Sequence, residues 1–273
     1  MLPDRCVPLA AVAFGTVWFQ VVRCRRSVIL DNLAQAFPDK TTRERLALGQ
    51  ANCVHLIRTL LEFFRISQYA RSGFDQIVRF EGMEHYEGAK KKGKGVLVVS
   101  GHLGSFELVV AAAARRLRSV SVIVKRFPHT ADRFINAIRL SADLQVIPAR
   151  GAIKHVLQAL KTNGAVVVVL DQNSTRRKGV FVNFFGKPAC TMVGPAVLAV
   201  RTGAPVIGAS VWRERTGLHV IRFHPEFPFE RKGSRDETLQ HLTQLYTCFV
   251  EQAIRDHPEQ WLWPHKRWRT QRY

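Results

Sequence analysis

Residues 96–100 read VLVVS and residues 165–170 read AVVVVL, with no polar side chain alternating with the valines. A strand of this kind has no face that can meet water, so it has to lie in a sheet covered on both sides. Strands are expected at 96–99, 120–124, 166–170 and 205–211, separated by helices at 106–117, 131–141, 152–162, 194–202 and 237–256. That alternation predicts an α/β fold with a mostly parallel or mixed central sheet and helices on both faces. At 273 residues the chain is long enough to bury a full core, and one main domain is expected over 81–273.

A helical preface is expected over 25–80. Thr41 and Glu44 have capping-box spacing, and Val54, Ile57, Leu61 and Phe64 recur at the period of one buried helix face. Ahead of it, residues 6–22 are apolar apart from Thr16 and Gln20, and Arg23, Arg25 and Arg26 follow. At ~1.5 Å per residue this run spans about 25 Å, slightly less than a hydrocarbon core, so residues 1–24 read as a membrane anchor or an interfacial helix. The arginines behind it favour retention of the rest of the chain in the cytoplasm. At the other end Trp261, Trp263, Trp268 and Tyr273 are interleaved with Lys266, Arg267, Arg269 and Arg272. The mixture suits an anionic membrane interface, and core tryptophans in a basic tail are the alternative.

Lys and Arg number 41 against 21 Asp and Glu, a net charge of +20 that calls for an anionic partner. No nucleic-acid reader signature accompanies the charge, and no nucleic acid is expected. The lysines of 90–94 and Arg176–Arg177 are assigned to solvated loops. GAKKKGK at 88–94 resembles a phosphate-binding loop, but it precedes a strand and Gly95 stands where a magnesium-holding hydroxyl is needed. The five cysteines are scattered, which argues against disulfides or zinc and for a reducing compartment. No metal or cofactor is expected.

Chemistry is concentrated in VLVVSGHLGSFELVV, residues 96–110. His102 emerges where a buried strand ends, the edge at which open α/β sheets bind ligands. A glycine turn follows, and Glu107 falls in the first turn of an apolar helix. On one continuous helix a five-residue offset would leave the two side chains about 140° apart; the turn is expected to fold His102 back toward Glu107. About 0.8 H-x4-[DE] pairs are expected by chance, so the weight rests on placement. A carboxylate-held histidine can take a proton from a hydroxyl near neutral pH. A capping or core histidine beside a helix-dipole glutamate is the alternative.

GHLGSFE resembles the H-x4-[DE] motif of the lysophospholipid acyltransferase superfamily. The chain is similar to its lipid A biosynthesis branch, the late lauroyl/myristoyl transferases, in RRSVILDNLAQAFPD (25–39), VIVKRF (122–127), VIPARGAIKHVLQALKTNGAVVVVLDQN (146–173), GVFVNFFGKPACTMVGPAVLAVRTGAPV (179–206) and HPEQWLWPHKRW (257–268). The resemblance implies a glycerolphosphate-acyltransferase-like fold on the cytoplasmic face of a bacterial inner membrane. It implies transfer of an acyl chain from an acyl carrier protein or coenzyme A thioester to a hydroxyl of an anionic, phosphorylated lipid A precursor. Another glycolipid or lysophospholipid acceptor, or an inactive basic membrane-binding module, is the alternative. His102 is then the general base and Glu107 its orienting partner. Arg126, Arg139 and Arg150 match positions for a phosphorylated headgroup. Asp171, Gln172, Phe184, Phe185, Gly186, Thr191 and Gly194 match further substrate-binding blocks, with core packing the alternative for the two phenylalanines. Arg139 or a backbone N–H near Gly104 is the expected oxyanion donor. Asn183 replaces a proline frequent in the family, and Arg176–Arg177–Lys178 is unusually basic.

Overall fold

In the computed structural model, which describes residues 3–125 and 129–271, four helices come first: α1 (Val7–Val17), α2 (Arg26–Ala36), α3 (Thr42–Phe63) and α4 (Ile66–Ser72). Then follow β1 (Val78–Glu81), α5 (Met83–Lys91), β2 (Val96–Ser100), α6 (Phe106–Leu117), β3 (Val120–Val124), α7 (His129–Leu140), β4 (Gln145–Pro148), α8 (Ala152–Lys161) and β5 (Ala165–Val169). The chain continues through β6 (Gly179–Phe184), β7 (Lys187–Met192), α9 (Gly194–Thr202), β8 (Val206–Arg213), β9 (His219–Glu226) and α10 (Arg235–Asp256).

Seven strands form one sheet in the order β1-β9-β8-β2-β5-β3-β4. From β8 to β4 every pair is parallel; only β9 meets β8 antiparallel, with β1 running parallel to β9. The central strands are sealed on both faces. Leu97, Val99, Val166 and Val168 join one core cluster with Phe184, Trp261 and Trp263; Val96, Val98, Ala165 and Val167 join the other with Leu108, Ala112 and Ile207. Each fully buried valine contributes roughly 1.5–3 kcal/mol of transfer free energy, which sets why these two strands lie at the centre.

The capping box at Thr41 is formed: its hydroxyl accepts from the Glu44 N–H at 3.2 Å, and Glu44 accepts from the Thr41 N–H at 2.7 Å. The buried residues of α3, however, are Gly49, Cys53 and Phe63 together with the polar series Asn52, His55, Thr59 and Glu62. The apolar stripe expected to be buried is only half covered, and Phe64 is exposed. At Val54 the stripe meets α1, where Gly15 lies so close that a Cβ on it would stand 2.4 Å from the Val54 Cα, while Phe64 packs on Phe134 of α7. Hydrophobic periodicity located the helix and missed the face that meets the sheet domain.

Beyond Val17 the helix widens by one turn over Trp18–Val22 and stops at Arg23 in the left-handed conformation (φ 56°). The side away from α3 leaves Leu9, Val12, Phe14, Val17, Val21 and Val22 exposed. The tryptophans of the C-terminal segment are not an interfacial belt. Trp261 and Trp263 are 0% exposed, and Trp268 and Arg267 are buried with them. Their indole and ring faces pack on Phe184 and Phe185, the alternative that the basic tail allowed. Tyr273, Arg272 and Arg126 lie outside the described residues. Lys90 and Lys91 belong to the last turn of α5 rather than to a loop, and all five cysteines are unpaired.

Candidate active site

Strands β2 and β5 are neighbours, with Ser100 opposite Val169. Two residues further along each strand stand His102 and Asp171, so the parallel register continues into the site. His102 Nδ1 lies 2.8 Å from Asp171 Oδ1, and the His102 backbone N–H donates to Oδ2 at 3.1 Å. Trp261 Nε1 donates to the same Oδ2 at 2.7 Å. Asp171 is 2% exposed. Burial by itself would raise its pKa, but the charge and hydrogen bond of His102, with the Trp261 and backbone donors, outweigh it and hold the carboxyl at about 2. Burial likewise works against the His102 imidazolium; Asp171, and behind it the charge of Glu107, raise the His102 pKa nonetheless, with Lys125 opposing.

An ionised carboxylate can only accept, so His102 Nδ1 carries the hydrogen and Nε2 a lone pair. The Gln172 side-chain amide donates to that Nε2 at 3.4 Å. Phe106 packs edge-on against the ring at 5.0 Å.

The expected contact between His102 and Glu107 is replaced. Glu107 receives Arg139 in a fork, Nε to Oε2 at 3.0 Å and Nη2 to Oε1 at 2.5 Å. The reason is topological: Asp171 comes from the adjacent strand at ring height, whereas Glu107 leaves on the helix and faces α7. Arg139 is 5% exposed, and its remaining nitrogen donates to Asn136 Oδ1 at 3.2 Å. Its guanidinium is therefore committed to the protein rather than open to a headgroup.

The turn between strand and helix is held closely. Gly104 has φ +59°, and a Cβ there would stand 3.0 Å from Val211 Cγ1 and 3.1 Å from the Trp212 Cα. Its N–H donates to the Gln260 carbonyl at 3.1 Å, and Leu103 bridges Trp261. Among the described residues, the backbone N–H groups of Ser105, Phe106, Glu107 and Leu108 have no acceptor. They form the positive end of the α6 dipole beside His102.

The other sequence-derived positions divide. Gln172 is in the site. Arg150 is exposed in the turn before α8. Phe184 and Phe185, 0% and 5% exposed, are core residues, packed on Trp261, Trp263 and Trp268. Phe185 and Gly186, both at positive φ, form the two-residue turn between β6 and β7, and Gly186 lines a cleft with Asn183, Gln244 and Glu251. Thr191 accepts from Arg267, a buried arginine that also donates to the Cys190 carbonyl at 2.9 Å and lies over the Phe184 ring. Burial lowers the pKa of Arg267 to about 10. Gly194 opens α9 on the surface. His265, unmarked in the sequence reading, accepts from the Asn173 N–H at 2.9 Å and is held neutral by burial, its pKa down to about 4. No cluster of three His, Cys, Asp or Glu able to hold a metal occurs among the described residues.

This arrangement puts the protein among α/β proteins that carry a histidine–carboxylate couple at the carboxyl edge of a mostly parallel sheet. Within that class, the chain belongs to the bacterial lipid A biosynthesis acyltransferase family, whose model matches residues 1–270. It is 28% identical over 195 residues to a phosphatidylinositol mannoside acyltransferase of Mycobacterium tuberculosis, a match covering 68% of this chain and 58% of that protein. It is 24% identical over 280 residues to the lipid A biosynthesis palmitoleoyltransferase of Escherichia coli, covering 98% of this chain and 87% of the relative. Among solved structures, the 1-acyl-sn-glycerophosphate acyltransferase PlsC from Thermotoga maritima overlays at a TM-score of 0.42 and 15% identity, covering 90% of this chain and 96% of that one.

Proposed function

We propose that the protein is an O-acyltransferase that moves a fatty acyl chain from a thioester donor, an acyl carrier protein or coenzyme A, to a hydroxyl of a phosphorylated glycolipid. The observation that carries this reading is the His102–Asp171 couple, which leaves the lone pair of the base on Nε2, where the Gln172 amide makes a long contact of 3.4 Å. His102 Nε2 takes the acceptor hydroxyl's proton while Asp171 stabilises the imidazolium that forms. The acceptor oxygen attacks the thioester carbonyl, a C–O bond replaces the C–S bond, and the thiolate leaves with the proton returned from His102. The oxyanion of the tetrahedral intermediate is held by unpaired N–H groups at the start of α6. Glu107 and Arg139 act as a buried tie between α6 and α7. Transfer is direct, without an acyl-enzyme.

A lipid A precursor is the acceptor favoured by the family and by the near full-length match to the Escherichia coli relative. A phosphatidylinositol mannoside is the second reading, favoured by the name of the mycobacterial relative. The exposed apolar side of α1, with Arg23, Arg25 and Arg26 beyond it, is read as the contact with the cytoplasmic face of the bacterial inner membrane. The net charge of +20 suits both that surface and the anionic acceptor. The test is mass spectrometry of tetra-acylated lipid A precursor and, separately, phosphatidylinositol mannoside, each incubated with acyl carrier protein and coenzyme A donors. A gain of one acyl mass with wild type and none with His102→Ala is expected; product formed equally by both would overturn the mechanism.

A further inference from the structure

The buried side of α3 carries a polar chain that the proposed mechanism does not use. Glu62 pairs with Arg213 and, at 3.0 Å, with Arg58. Arg213 Nη1 lies 3.0 Å from His55 Nδ1, and His55 Nε2 lies 3.3 Å from the Gly104 carbonyl oxygen. A guanidinium has no lone pair to offer, so Arg213 donates and His55 Nδ1 accepts. The ring hydrogen is therefore on Nε2, which donates to Gly104. Thr59 Oγ1 shares this hydrogen at 3.2 Å. Burial, then the charge of Arg213 with Arg58 behind it, pushes the His55 pKa well below its ordinary value, against the pull of the Gly104 carbonyl.

His55 is 6% exposed, Arg213 8% and Glu62 5%. Taking ionised groups this far out of water costs several kcal/mol per ion before the pairing offsets it. Apolar packing would hold α3 to the sheet domain as well, yet the donor chain ends on one atom, the carbonyl oxygen of the left-handed residue in the turn after His102. The peptide joining Gly104 to Ser105 is trans. With its C=O drawn toward α3, its N–H points the opposite way. That N–H is one of the four at the start of α6 without an acceptor.

We infer that His55 is a positioning residue for the reaction: fixed by Arg213 and Glu62, it holds the Gly104 carbonyl and so aims and polarises the Ser105 N–H that receives the oxyanion. The inference rests on the acyl-transfer reading above and adds the group that sets the oxyanion donor. Polarisation follows because a hydrogen bond to a peptide carbonyl makes that peptide's N–H a stronger donor.

The test uses the full chain with His55→Phe, His55→Gln and His55→Asn. Gln places an amide N–H near the position of Nε2 and keeps an oxygen for Arg213; Asn stops short of Gly104. Removing one oxyanion donor costs on the order of a hundredfold in kcat, so misaiming it is expected to cost His55→Phe and His55→Asn about tenfold or more. KM for both substrates and the acid limb of the pH profile should stay put, and His55→Gln should recover most of kcat. Equal rates for the Gln and Asn variants, or a loss expressed in KM, would overturn the inference; if the Phe variant does not fold, the Gln and Asn pair decides. An inactive wild type would instead sink the acyl-transfer reading. One arm does not depend on activity: 15N spectra of histidine-labelled protein should show His55 as the neutral Nε2–H tautomer at and above its ordinary pKa of 6.5. An Nδ1–H tautomer, or a ring titrating in that range, refutes the donor chain.

Discussion

Asp171→Asn separates the two carboxylates of the site most sharply, because the structure dictates how the amide must sit. Two donors, the His102 backbone N–H and Trp261 Nε1, converge on Oδ2. The amide oxygen has to stay there, since an NH2 group would face both donors. The NH2 then occupies the place of Oδ1, opposite His102 Nδ1. A donor facing Nδ1 reverses the tautomer, putting the hydrogen on Nε2 and removing the lone pair that accepts the proton. The imidazolium of the transition state also loses its counter-charge. At about 4 Å between charges and an effective dielectric near 20, that interaction is about 4 kcal/mol, a factor of about a thousand in kcat. The assay is acyl gain by mass spectrometry across pH. Wild type should gain activity as pH rises through a His102 pKa above its ordinary 6.5. Asp171→Asn should show the acid limb moved to lower pH and the plateau reduced by about a thousandfold, with the melting temperature little changed. A folded variant within tenfold of wild type, with the limb unmoved, refutes the assignment of Asp171 as the ring's partner.

Replacing Glu107 by Ala should destabilise the fold by about 3 kcal/mol, because it strands the buried Arg139 guanidinium; adding Arg139→Met should recover much of that in chemical denaturation, and an additive double variant would count against the buried tie. Gly104→Ala should fail in both stability and activity through its positive φ and the Val211–Trp212 contact, which thermal melting and the acyl assay test together. His219 is 3% exposed and is held neutral, chiefly by burial, with a pKa of about 4 against an ordinary 6.5. Between those values the unfolded chain binds the proton and the folded chain does not, so stability falls as pH drops from about 6.5 to 4 and levels off below; His219→Gln should flatten the dependence of melting temperature on pH, and an unchanged slope would exclude His219 as its source.

The central strands were legible because complete burial leaves a mark in composition: VLVVS and AVVVV need no partner to be recognised. Their adjacency was not legible. β2 and β5 are separated in sequence by two strands and three helices, and only the sheet order brings the ends of VLVVSGH and AVVVVLD side by side. The sequence blocks therefore mark Asp171 as a substrate-binding position, whereas its carboxylate meets the histidine. His55 escaped for a different reason. On α3 Val54 meets α1, and the polar series Asn52, His55, Thr59 and Glu62, which looks solvated, enters the core beside Cys53 and Phe63. The β6–β7 hairpin went unread because its turn is Phe185–Gly186, whereas tight turns with two positive φ values are usually marked by Asn or Asp before the glycine.

The five-residue offset between His102 and Glu107 then takes on a different physical meaning. An acid in the first turn of α6 is well placed to meet α7 and poorly placed to meet a ring two residues past the end of β2. It need only carry a charge that Arg139 can clasp and that lies near enough to reinforce the imidazolium. The base needs a carboxylate at ring height, and the neighbouring parallel strand supplies one at the equivalent position, two residues past its paired end. Division between two carboxylates also divides their tolerances. Aspartate at 171 is constrained by three donors at fixed distances, so lengthening it by one methylene should push the carboxylate into the ring or off Trp261. Glu107 is partly exposed and faces a long, forked partner, and shortening it to aspartate should leave one of two hydrogen bonds in place. The motif acid is thus the more replaceable of the pair, and the residue five positions from the histidine matters less to the proton than the one 69 positions away.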